Sequence, residues 1–344
     1  MAVKLSSDEK AKLLAVYGII IAVTLAGFTA SVSVGRTYVL LAGLSVLAYV
    51  LGLRHAVDAD HIAAIDNTTR KLMQEGGRPL TVGTWFSLGH STIVVCMILA
   101  LVFVGRAAVI ALPWLQNAGP VLGTTISGIF LWIIGILNLV VILDIYRVFA
   151  RLRAGELNEP ELEELLNKRG FMNRYLGGMF RLIRKPWQIY PIGLLFGLGF
   201  DTASEVALIA ISLGVGVASA MPVWMVLVLP LMFTCGMVIV DTSDGVAMSL
   251  AYGWAFLKPI RKVYYNLTIT IISVLVALFI GTVELIQVLS GEFGLSGGVW
   301  AWLAGLDFET MGIWIIALFI ASWMVAIAIY RYKDFENRGY QLQA

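Results

Sequence analysis

The chain is expected to be an all-α membrane protein of eight transmembrane helices with both termini cytoplasmic. Three observations predict this class. Of 344 residues, 59% are hydrophobic and only 13% charged, whereas a soluble domain averages about 45–50% and about 25%. Apolar runs of the roughly 20 residues that a helix needs to cross a bilayer recur along the whole chain. Basic residues gather on one side of those runs, as the positive-inside rule requires of cytoplasmic segments.

The runs place spans at 13–34, 38–66, 80–105, 120–146, 189–215, 221–250, 265–290 and 311–330. The polar first ten residues, followed at once by a run long enough to span, are read as leading into a retained first helix rather than a cleaved signal. The second and sixth runs are long, so each is expected to tilt or break, with Gly52 and Pro230 as the natural breakers. Apart from Arg36, Arg54 and Arg106, all basic residues fall in the N-terminal segment, the 67–79, 147–188 and 251–264 loops, or the C-terminal segment. That is 21 of 24 on one side. The acidic 291–310 loop and Trp114, Trp300 and Trp302 suit the outer interface. The 147–188 loop is the one sizeable polar stretch, with an amphipathic run at 156–166 and arginines (Arg147, Arg151, Arg181, Arg184) suited to anionic lipid. It divides the chain into halves of four spans. Gly52-Leu53 and Gly197-Leu198, each followed by an acidic residue at equal offset (Asp60, Glu205), suggest that spans 2–4 and 5–7 form an inverted repeat, a common transporter plan.

A net charge of +2 and the absence of any such motif argue against nucleic acid as a partner. Cys96 and Cys235 both lie in apolar runs and are read as packing residues, without a disulfide framework.

Against this apolar background, four clusters of costly polar groups stand inside the spans. They are His55, Asp58, Asp60 and His61 in span 2; Ser87 to Thr92, including His90, in span 3; Asp201, Thr202, Ser204 and Glu205 in span 5; and Asp241, Thr242 and Asp244 in span 6. Ionisable groups in hydrocarbon mark ion or substrate paths. Counted from the inner end of each span at about 1.5 Å per residue, the clusters share one layer roughly 8–18 Å deep. On a regular helix His55, Asp58 and His61 lie on one face some 120° wide, and Asp60 points elsewhere. Asp201 with Glu205, and Asp241 with Asp244, also pair on helical faces.

Imidazole plus carboxylate without thiolate describes a site for a borderline dication such as nickel, cobalt or zinc. An all-oxygen calcium or magnesium site is a different set. His90 alone could instead be a helix–helix hydrogen-bond partner. For Asp201, Glu205, Asp241 and Asp244 three roles stay open: metal contact, proton relay, and orientation of the histidines. Arg54 is expected to neutralise one of the aspartates, with Ser87, Thr202 and Thr242 as hydrogen-bond partners. Glu284 and Asp144, near span ends, are expected to be solvated.

Arg-His-Ala-Val-Asp-Ala-Asp-His-Ile (54–62) resembles the signature of the nickel/cobalt transporter family. Three further stretches are similar to that family's motifs: Phe86-Ser87-Leu88-Gly89-His90-Ser91, Leu198 to Glu205, and Gly236 to Gly245 with its Asp-Thr-Ser-Asp-Gly ending. Ser204 stands where related chains often have Thr. The resemblance covers spans 2, 3, 5 and 6, and the eight-span plan covers the chain. It implies high-affinity uptake of nickel(II) or cobalt(II), as transported substrate rather than cofactor, across a bacterial cytoplasmic (inner) membrane. It also implies that His55, Asp60 and His61 form the core of the signature, with Asp58 between them.

No phosphate-binding Gly-x-x-x-x-Gly-Lys-Ser/Thr loop is present, so a secondary permease without an ATPase subunit is expected. Proton coupling through Asp201, Glu205, Asp241 or Asp244 is a hypothesis, rejected by metal uptake that an uncoupler leaves unchanged. An intramembrane metalloprotease would want His-Glu-x-x-His, which is absent. An efflux permease for the same ions is the alternative. Exporters of that kind often carry a His-rich cytoplasmic loop, and here all three histidines lie in spans.

Overall fold

The computed structural model describes residues 5–35, 38–74, 76–111, 113–153, 183–198, 204–205, 207–209, 211–212, 223–255 and 259–332. The main helices, in order, are α1 (Ser7–Gly35), α2 (Val39–His55), α3 (Ala59–Gln74), α4 (Val82–Ala111), α5 (Pro113–Arg153), α6 (Tyr190–Phe196), α7 (Val228–Ala255), α8 (Pro259–Phe293), α9 (Gly298–Ala304) and α10 (Phe308–Tyr332), with a four-residue helix, Val223–Val226, just before α7. A 3-10 turn, Pro186–Ile189, leads into α6. No strand occurs among the described residues, as expected where every backbone polar group must be satisfied without water.

Five segments are long and apolar enough to cross a membrane: Ser7–Val34, Val82–Ala100, Val121–Val140, Val228–Gly253 and Thr270–Phe293. The bent pair Leu40–His55 and Ala59–Met73 makes a sixth, and Thr310–Val325 is a shorter apolar helix. The chain is therefore an all-α membrane protein. The expected span 189–215 and the 147–188 loop lie partly outside the described residues.

Two expectations are corrected and one is met. The second span breaks at 56–58, between α2 and α3, with a bend of 56°, and not at Gly52. Tight turns at Val57 N→Arg54 O (3.1 Å) and Asp58 N→His55 O (2.9 Å) close the end of α2. Gly52 instead permits a close crossing, because a Cβ there would sit 2.0 Å from the Phe233 carbonyl oxygen on α7. The sixth run does break, at residue 227, between a four-residue helix, Val223–Val226, and α7; Pro230 falls in the first turn of α7, where its missing N–H leaves no bond unmade. Finally, residues 67–74 are not loop but the second half of α3, so Arg70 and Lys71 are buried helix residues and not cytoplasmic loop charges.

That last correction defines the architecture. α3 is the most polar of the long helices, yet every side chain from His61 to Met73 is buried. It contacts α4, α5, α7, α8 and α10. α3 is thus the central rod, wrapped by apolar helices that turn exposed Leu, Ile, Val and Trp outward, the arrangement that lipid selects.

Two crossings around this rod use the same contact. Gly52 meets the backbone of Phe233, and Gly236 meets Tyr49 and Leu53. Gly193 meets the backbone of Phe86, and Gly89 meets Tyr190 and Leu194. The offsets are identical, and the residue types match apart from Ser87 against Thr234: Tyr49-x-x-Gly52-Leu53 beside Tyr190-x-x-Gly193-Leu194, and Phe86-Ser87-x-Gly89 beside Phe233-Thr234-x-Gly236. The contacts therefore equate Gly52 with Gly193 rather than with Gly197.

Candidate metal centre

The α2–α3 break delivers His55 and His61 to one point from two helix ends, and α4 adds His90. The three ring centroids lie 4.7, 4.8 and 4.9 Å apart. One ring nitrogen from each falls within 4.8 Å of the others. All three residues are buried, as are Asp58, Glu205, Asp241 and Ser87. Phe86 packs edge-on against His61 at 4.8 Å, and Phe233 lies 5.5 Å from His55, walling the cluster with apolar rings.

Carboxylates fix two of the imidazoles from behind. Asp58 Oδ2 is 3.0 Å from His55 Nδ1. Asp241 Oδ2 is 3.2 Å from His61 Nδ1 and also accepts the hydroxyl of Ser87. A carboxylate accepts the Nδ1 proton and so leaves the Nε2 lone pair open on the opposite side of the ring. This is how carboxylates orient and strengthen histidine as a metal ligand. His61 Nε2 has no hydrogen-bond partner among the described residues. His55 Nε2 faces His90 Nε2 at 3.1 Å, and Glu205 Oε1 lies 2.7 Å from His90 Nε2 and 3.6 Å from His55 Nε2.

Three ring nitrogens and one carboxylate oxygen therefore converge. Two imidazole nitrogens facing each other need a shared proton or a cation between them. His90 Nε2 supplies the proton when it donates to Glu205. A dication would take its place, with the His90 proton lost or moved to Nδ1, which has no partner among the described residues.

The remaining expected residues divide as follows. Asp60 is half-buried, and its Oδ1 accepts the backbone N–H of His61 at 2.8 Å, tying the start of α3. Thr242 pairs with Thr84 at 2.8 Å, behind the cluster. Asp244 lies one turn beyond Asp241 with a buried Oδ2. Arg54 is exposed at the surface, where its charge acts on Asp307 of the α9–α10 connection. Asp201 and Thr202 lie outside the described residues. Glu284, expected to be solvated, is buried and accepts a hydrogen bond from Ser127 at 2.7 Å. The Asp144 side chain lies outside the described ones.

Sequence reading passed over the second half of α3. Asp66 accepts the hydroxyl of Tyr252, and Arg70 donates to Thr270 at 3.0 Å, to Ser273 at 2.6 Å and to Tyr252. Asn67 accepts a bond from Asn138 at 2.8 Å, and Lys71 donates to the Ile183 carbonyl. The available signal was the i,i+4 spacing of Asp66 and Arg70, which puts both on one helical face.

Fold and site together define a polytopic helical membrane protein with a buried imidazole–carboxylate cluster of the kind that suits a borderline dication. Residues 41–329 match the family of the high-affinity nickel-transport protein, and the chain belongs to that family. It is a family of transporters, not of enzymes. The nickel transporter NicT of Mycobacterium tuberculosis is 49% identical over 301 residues, covering 86% of this chain and 80% of that protein. The nickel transporter NixA of Staphylococcus aureus is 44% identical over 331 residues, covering 96% and 98%. The cobalt transport protein NhlF of Rhodococcus rhodochrous is 38% identical over 305 residues, covering 86% and 85%. No solved structure matches.

Proposed function

We propose that this protein imports nickel(II), and takes cobalt(II) as a related substrate, across the bacterial cytoplasmic membrane as a single-chain secondary permease. The observation that carries the reading is the convergence of His55, His61 and His90 in a fully buried position. His55, His61, His90 and Glu205 hold the ion, and Asp58, Asp241 and Ser87 position the rings. Asp60 caps the start of α3, and Thr242 and Thr84 brace α7 against α4. Ligand histidines must be neutral to bind metal, so occupancy falls in acid.

Eight spans with both termini cytoplasmic fit this role. The Arg78–Glu9 ion pair at 2.8 Å supports the topology, because it brings the N-terminal segment and the α3–α4 connection to one end of the bundle. The matched glycine crossings support an inverted repeat of spans 2–4 and 5–7, with the ion at the repeat interface on broken helices.

The test is uptake of radiolabelled nickel and cobalt by cells expressing the intact chain, His55→Ala or Asp60→Asn. The expected result is accumulation with the intact chain that collapses in His55→Ala and is reduced in Asp60→Asn. Unchanged uptake in both variants would remove the assignment. Depletion of cellular metal by the intact chain would establish efflux, the alternative function, in place of import.

A further inference from the structure

The buried polar line does not stop at the histidines. Along α3, Asp66 follows His61 by five residues, about 7.5 Å at 1.5 Å per residue. Along α7, Asp244 follows Asp241 by three. The two helices run close here, since Gly245 lies against the backbone of Gly83 with its Cβ position 3.5 Å from the Ile65 side chain. Asp66 is fully buried. Its Oδ1 takes the Tyr252 hydroxyl, so the side chain points at α7, and its Oδ2 has no hydrogen-bond partner among the described residues. On α7, Asp244 Oδ2 is likewise buried and without a partner among the described residues.

Two carboxylate oxygens buried without a partner, on helices packed against each other, call for a cation. The structure supplies one from within. Arg70 Nη2 lies 3.5 Å from Asp66 Oδ1, and the guanidinium sits 4.1 Å above the Tyr252 ring, held by Thr270 and Ser273 on α8. One guanidinium serves Asp66, and the Oδ2 atoms of both aspartates stay without a partner among the described residues. A dication satisfies both.

We propose that Asp66 and Asp244 form a second station for the transported dication, between the histidine cluster and the end of the bundle that carries Glu9 and Arg78. Arg70 keeps this station closed as a resident cation until the ion arrives. The inference rests on the reading of the histidine cluster as the first station. The ion passes from nitrogen ligands to all-oxygen ligands, which hold a borderline dication less firmly. Arg70 is held by its Thr270, Ser273 and Tyr252 contacts and does not follow the ion. The second station serves release, and the first determines affinity.

The experiment compares nickel binding by calorimetry on the purified full chain with nickel uptake into proteoliposomes. For Asp244→Asn, and separately for Asp66→Asn, the expected result is a Kd within about threefold of wild type and an initial uptake rate lower by about tenfold or more. Asp66→Asn strands the Arg70 charge and can fail to fold. The charge-neutral double variant Asp66→Asn with Arg70→Gln removes that problem, and its uptake stays low although its fold is restored. Uptake restored in the double variant would overturn the proposal, because Asp66 would then serve only to neutralise Arg70. Normal uptake in Asp244→Asn, or binding and uptake falling together, would overturn it as well. His61→Ala separates the two levels: if it binds nickel normally, the first station is misassigned, whereas the aspartate results bear on the second alone.

Discussion

The two halves of α3 solve the same problem in opposite ways. Both bury titratable groups in the middle of an apolar bundle, where each is costly unless matched. In the first half, His61 joins His55 and His90 in a group whose ring nitrogens point at one another and whose carboxylates stand behind them. In the second half, Arg70 lies against Asp66, Tyr252, Thr270 and Ser273, each close enough for a direct contact. One half leaves its valences open for a cation that comes from outside. The other brings its own cation. The difference teaches that a resident guanidinium, rather than polarity, separates a site held open for cargo from one that starts out occupied, although Asp66 Oδ2 keeps one valence open there.

The sharpest way to break the comparison is at that guanidinium. Arg70→Ala leaves the buried Asp66 charge without its partner and is expected to cost about 3–5 kcal/mol of stability, read from chemical or thermal unfolding in detergent. A loss under 1 kcal/mol would mean that the second half is as open as the first. At the open site, His61→Ala should leave the fold intact and weaken nickel affinity about a hundredfold, since it removes one of three convergent imidazoles. Calorimetry on the purified chain reads this directly, and equal destabilisation of both halves by alanine would erase the contrast.

A smaller effect is expected behind the ligands. Ser87→Ala removes the hydroxyl that steadies Asp241, which in turn holds His61. Affinity should fall about tenfold, while competition between nickel and other dications is preserved, because the ligand set is unchanged. The smallest effect lies outside the bundle. Asp307 caps α10 by accepting the backbone N–H of Thr310 at 2.9 Å and its hydroxyl at 2.6 Å. The Thr310 hydroxyl, then its N–H and the Arg54 charge, hold the Asp307 carboxyl below its usual range. Its folded value is below its unfolded one. The stabilisation is therefore present at neutral pH and lost as pH falls through that lowered value. Asp307→Ala is expected to cost about 0.5–1 kcal/mol at neutral pH and to remove this part of the acid sensitivity, as followed by unfolding midpoints across a pH series.

Much of the molecule can be read in one dimension. Burial in lipid demands long unbroken apolar runs, and these are visible in any window of about 20 residues. His55, His61 and His90 stand out because so few charged groups share their surroundings, and their common depth follows from counting residues along helices. Asp58 beside His55 is similarly local. Contacts across helices were not legible in this way. Glu205, Asp241 and Ser87 stood among the candidates, but their roles depended on which ring atom each faced. Glu284 looked like a span-end residue, yet helix packing against α5 buries it beside Ser127.

What the sequence by itself determined was the class of protein, its main spans and the residue types of the site, because hydrophobicity, length and donor chemistry are properties of single residues and short runs. What only the tertiary structure decided was where span 2 bends, that its polar continuation is a buried central helix and not a loop, and which carboxylate stands behind which imidazole. A run such as Asp66 to Lys71 reads as solvated because its own composition is polar. It is buried only because five other helices close around it and supply the hydrogen bonds that water would otherwise provide.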